Sequence, residues 1–217
     1  MKSVKIFKKK NIKLESIIVA SIFLLGSLSF VSITLGGKDI ALNNYSLTIH
    51  QSDQSGLDLN LSIEGFSNSV VEVEGMTYDK LQLNNCGYTG DYGKAELPTV
   101  SFYIAVPQDA EIILNYDATD FIVLQDYDIY PSQPPKPETD GYIDPPFTKN
   151  ESFYETNEYY PSPIVEVGSI STMRGCRIAM ISAFPFSYNP ATKEVKFYHD
   201  VSISINFVGG TGKFIPE

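Results

Sequence analysis

A chain of 217 residues has room for one domain or two small ones, and 43% apolar with 19% charged residues excludes disorder throughout. The formal net charge is −10; six of the 16 basic residues and one of the 26 acidic ones fall in residues 1–37, so the remainder carries 10 basic and 25 acidic side chains, net −15. A surface that negative repels phosphate backbones and excludes nucleic-acid binding, while it suits an extracellular domain or a partner with a basic face.

In chain order, Lys2, Lys5, Lys8, Lys9, Lys10 and Lys13 precede an uncharged apolar stretch, residues 17–35. A basic region followed by an apolar one is the layout of an export signal, and the stretch is nearly the roughly 20 residues a membrane-spanning helix needs. Cleaved signal and retained anchor helix both fit residues 1–37. The lysines stay cytoplasmic by the positive-inside tendency, which places the rest of the chain outside, extracellular or at the cell surface.

After residue 37 the pattern is that of strands. Leu57, Leu59, Leu61 and Ile63 alternate with polar residues between Gly56 and Gly65, the period-two mark of a half-buried strand. Short strands follow at Val71 to Val73 and Tyr78 to Leu83. Residues 84–93 form a polar, glycine-rich loop without the Gly-Lys-Ser/Thr ending of a phosphate loop. Leu97 to Pro107 is a strand with prolines at its ends. Glu111 to Tyr116 and Phe121 to Ile129 are two more, the second placing Asp126 and Asp128 on one face. Residues 130–163 then gather eight prolines with no apolar periodicity; connections this long are usually functional or disordered. Strands resume at Ile164 to Ile170 and at Arg174 to Phe184, apolar or small on both sides as a central strand is. A turn over 188–194 leads to Val195–Tyr198, and Val201, Ile203, Ile205 and Phe207 alternate cleanly to the end. Some ten short strands, with no amphipathic helix after residue 37, predict an all-β fold, a β-sandwich or jelly-roll-like domain over 38–208. Residues 209–217 are glycine-rich, a flexible tail or linker.

Catalytic groups are sparse. His50 and His199 lie near no nucleophile motif. Cys86 and Cys176, outside the cytosol, can close a disulfide; two free thiols are the alternative. With no paired cysteine spacing and two histidines, no metal site and no cofactor is expected.

Three segments together carry a resemblance. Residues 93–107 place a small residue and an acid before Leu97-Pro98, then a strand ending Val106-Pro107. Residues 173–190 run Arg174-Gly175, strand, Pro185, Tyr188-Asn189-Pro190. Lys193 to Tyr198 then enters the last strand. This order and spacing, over about residues 55–208, resembles the propeptides of gingipain-type cysteine peptidases. The resemblance implies a β-sandwich prodomain that assists folding of a cysteine peptidase and keeps it latent by covering its active-site cleft. It implies that the catalytic Cys and His belong to a downstream peptidase domain, in cis or trans, and that this chain is not itself the enzyme. It further implies an extended loop that places a basic side chain in the specificity pocket. The proline-rich segment 130–163 is the equivalent loop, and Lys136 and Lys149 are its only basic residues. Lys136, between Pro135 and Pro137, is the favoured one. The rival reading is a stand-alone surface or adhesion β-domain without a peptidase partner.

Overall fold

The computed structural model describes residues 44–135, 145–210 and 212–214. The leader read at 1–37 lies outside them, as does Lys136; among the described residues no helix is long and apolar enough to cross a membrane.

The described chain is all-β with one helical turn. Two four-stranded antiparallel sheets dominate. The first runs β1 (Tyr45–Ser52), β2 (Gly56–Ile63), β13 (Asp200–Val208), β7 (Glu111–Asp117). The second runs β5 (Gly87–Tyr88), β6 (Pro98–Ala105), β10 (Cys176–Ala183), β9 (Val165–Met173). A smaller sheet joins β11 (Phe186–Asn189), β12 (Glu194–Phe197) and β8 (Ile122–Leu124), and β3 (Ser67–Val73) pairs with β4 (Met76–Gln82).

The alternation in the sequence sets the register. Leu57, Leu59 and Leu61 of β2 stand opposite Ile205, Ile203 and Val201 of β13, all buried. A one-residue slip would turn this whole set to solvent. Val100, Phe102 and Ile104 of β6 and Ala179, Ile181 and Ala183 of β10 belong to the same core cluster. Each large side chain so buried contributes about 1.5–3 kcal/mol. As its two apolar faces predict, β10 is internal, held by β6 on one side and β9 on the other.

Two hairpins turn on an L-residue followed by glycine, both at positive φ: Glu74-Gly75 (53° and 78°) between β3 and β4, and Arg174-Gly175 (51° and 82°) between β9 and β10. Left-handed conformation at both turn residues matches the strand twist and favours glycine at the second. Arg174-Gly175, which opens a strand in the sequence reading, is therefore the hairpin corner.

Three expectations change. The strand expected over 121–129 ends at Leu124, because Asp126 adopts φ 63° and redirects the chain; Asp126 and Asp128 do not share a strand face. Tyr188 and Asn189, expected in a turn, finish β11 and pair with Val195 and Glu194. The proline-rich segment contains a helical turn, α1 (Glu151–Tyr154), whose first turn is capped by the Asn150 side chain accepting from the Phe153 N–H.

Candidate functional site: the neck of the proline-rich loop

The described limbs of the proline-rich segment, up to Pro135 and from Pro145 onward, are tied closely together in a neck. On the outgoing limb, Ser132 exchanges backbone bonds with the 93–94 segment: its N–H donates to the Lys94 carbonyl and its carbonyl accepts from the Gly93 N–H, both 2.7 Å. On the returning limb, the Asn150 N–H donates to the Gly93 carbonyl at 3.0 Å. Gly93 thus joins both limbs. It sits at φ 81°, and a Cβ there would come 3.0 Å from the Asn150 nitrogen, so a side chain is strained on two grounds.

Gln133 ties the limbs directly. Its amide donates to the carbonyls of Pro131 and Thr148, and its side-chain carbonyl accepts from the Thr148 N–H, each at 2.8 Å. One amide side chain thereby satisfies one donor and two acceptors of the two limbs, where the neighbouring prolines offer no N–H of their own. Rings complete the neck. Phe147 lies 5.8 Å from Tyr78 and 5.9 Å from Tyr130, and Lys80 holds Tyr130 by an ammonium 4.3 Å above the ring while pairing with Glu96 at 2.7 Å. The Tyr154 hydroxyl donates to the Ile129 carbonyl at 2.6 Å; burial pushes its pKa far above the ordinary tyrosine value, so it stays a donor.

Lys149 sits in this neck. Its ammonium is 3.0 Å from the Glu151 carboxylate and 4.9 Å from the centre of the Tyr154 ring. Burial opposes its charge, but the Glu151 hydrogen bond and the nearby acids outweigh it and raise its pKa above the ordinary lysine value. Both contacts of Lys149 are thus made within the described domain. Lys136 falls between the two limbs in sequence and lies outside the described residues.

The remaining sequence candidates lie elsewhere. Cys86 and Cys176 are free thiols, not a bridge. Cys86 donates to the Leu83 carbonyl at 3.3 Å and burial raises its pKa, which makes it a poor nucleophile. Cys176 opens β10, with its sulfur 3.6 Å from the Arg177 carbonyl. Arg177 donates to the carbonyls of Pro107 and Ala110 and so supports the sheet. His199 is held between Asp200 at 3.0 Å and Asp120 at 3.4 Å, and the Asp200 hydrogen bond raises its pKa. The nearby Ser62 hydroxyl bonds the Asp200 carboxylate. In a serine triad the hydroxyl must instead face the imidazole that takes its proton.

The sequence of 43–211 matches the family Propeptide_C25, so the chain belongs to that family and is a gingipain-type propeptide. Two similar proteins from Porphyromonas gingivalis are much longer than this chain. A Lys-gingipain is 27% identical over 157 residues, 70% of this chain and 9% of the relative. A gingipain R1 is 24% identical over 123 residues, 57% of this chain and 12% of the relative. This chain therefore corresponds to about a tenth of these proteins. Among solved structures, the complex of P. gingivalis RgpB pro- and mature domains is similar with a TM-score of 0.69 at 17% identity, over 79% of this chain and 88% of that one. A structure describing zymogenic latency of gingipain K from P. gingivalis gives 0.68 at 24% identity, over 76% and 93%. At these identities both are likenesses of fold.

Proposed function

We propose that this chain keeps a gingipain-like cysteine endopeptidase latent, and assists its folding, by laying the loop between Gln133 and Thr148 in the peptidase's active-site cleft. Lys136 is the side chain that enters the specificity pocket. The partner is the peptidase's catalytic domain, in cis or in trans, and the encounter takes place outside the cell, with residues 1–37 serving as export signal or membrane anchor, 38–208 as the propeptide domain and 209–217 as linker.

The observation that carries this reading is the neck. A loop that occludes a cleft must hold its tip in place without help from the partner, since ordering it on binding would weaken inhibition. Gln133 ties together the two described limbs from which such a tip would extend. Lys136 is preferred to Lys149, because entering a pocket would cost Lys149 its Glu151 and Tyr154 contacts.

The neck is tested through Gln133→Ala. The variant is expected to inhibit the peptidase about tenfold more weakly, a loss near 1.4 kcal/mol, with its melting midpoint nearly unchanged. Undiminished inhibition by this variant would contradict a role for the neck.

A further inference from the structure

A cleft of about 570 Å³ opens on the solvent side of the β5-β6-β10-β9 sheet, within the roughly 300–1,000 Å³ of small-molecule sites. Its floor follows from strand register. Ser182 stands opposite Ser101 on β6 and opposite Glu166 on β9, so two hydroxyls and a carboxylate lie in one row across three strands, about 4.8 Å from strand to strand. The two serine oxygens are 3.0 Å apart. Thr99, two residues along β6, lines the same face, is 6% exposed, and its hydroxyl has no hydrogen-bond partner among the described residues. A buried hydroxyl left unpaired burdens the fold, and a ligand group that bonds it removes that burden.

The walls are aromatic. Tyr88 on the short edge strand is 42% exposed, and Tyr160 lines the cleft with it. At the rim, Asp91 and Lys94 neutralise each other at 2.8 Å. Glu166 is the cleft's one carboxylate without an ion pair among the described residues. An anionic ligand would be repelled by Glu166. A metal ion would find Glu166 there but no cluster of three His, Cys, Asp or Glu side chains among the described residues. A neutral polyol fits every group present: its hydroxyls both donate and accept as the floor does, and its apolar ring face packs on tyrosine.

We propose that this cleft binds a sugar ring of an extracellular glycan, a function separate from peptidase latency and dependent on Thr99, Tyr88 and Glu166. The test titrates the full chain with the methyl glycosides of glucose, mannose, galactose and N-acetylglucosamine, read from the methionine methyl signals, since Met180 lines the cleft. At least one glycoside is expected to shift the Met180 methyl saturably. Thr99→Val and Tyr88→Ala should each weaken that binding by about tenfold, the loss of one good contact. Thr99→Val should at the same time hold or raise the melting midpoint, because it removes an unpaired hydroxyl, so weakened binding by this variant would not come from unfolding. The proposal is overturned if none of the glycosides shifts Met180 saturably, if both variants bind as the parent does, or if N-acetyl-lysine amide shifts Met180 where the sugars do not.

Discussion

Lys136→Ala is expected to raise the inhibition constant of the chain against its peptidase by on the order of a hundredfold, since a single anchor residue in a desolvated pocket typically carries about 2–4 kcal/mol. Lys149→Ala should do far less to inhibition and more to stability, because its ammonium is already spent on Glu151 and the Tyr154 ring. The contrast separates an inserted lysine from a structural one. It is measured by titrating each variant against the peptidase with a chromogenic substrate and comparing melting midpoints. Equal inhibition by the parent chain and Lys136→Ala would remove Lys136 from the specificity pocket. Lys136→Arg adds a check on pocket chemistry: a pocket built for a compact ammonium should accept the guanidinium poorly.

The largest expected stability effect is at Phe186. It is fully buried, stacked on Phe197 at 5.1 Å with the rings 17° apart, and met edge-on by Phe66 at 5.1 Å. These rings tie β11 and β12 to the segment leading into β3. Phe186→Ala removes a ring from both contacts and leaves a cavity that close-packed neighbours refill only in part. The expected loss is about 3–5 kcal/mol, a large share of the roughly 5–15 kcal/mol that holds a domain folded. Urea unfolding of the parent and variant measures it; a loss below about 1 kcal/mol would mean that the triplet relaxes without cost.

Much of the fold was legible because burial on one face writes itself into period-two alternation. β2 and β13 could be placed from their leucines and isoleucines, and β10 could be placed as internal from its two apolar faces. Elements that pattern poorly escaped. β5 is two residues inside a glycine-rich loop, and α1 is one turn, too short for apolar periodicity to register. β1, by contrast, does alternate, with Tyr45, Leu47 and Ile49 against the core and Ser46, Thr48 and His50 outward, and its short pattern was there to be read. The Asn150 cap was the available signal for α1, since asparagine is favoured at that position. β8 was overextended because left-handed backbone at Asp126 leaves no trace in hydrophobicity. The proline cluster announced the loop, and the resemblance gave it a role. The neck could not be foreseen, because the Gln133 clip spans 15 residues and Gly93 comes from a distant loop. Tertiary contacts decide such pairings.

The most direct test of the central claim is to titrate the purified chain against the mature gingipain-type peptidase of the organism that produces it and follow hydrolysis of a small substrate. The account predicts concentration-dependent, substrate-competitive inhibition that is complete at micromolar chain. A peptidase that stays fully active at that concentration would contradict it and favour the stand-alone surface domain.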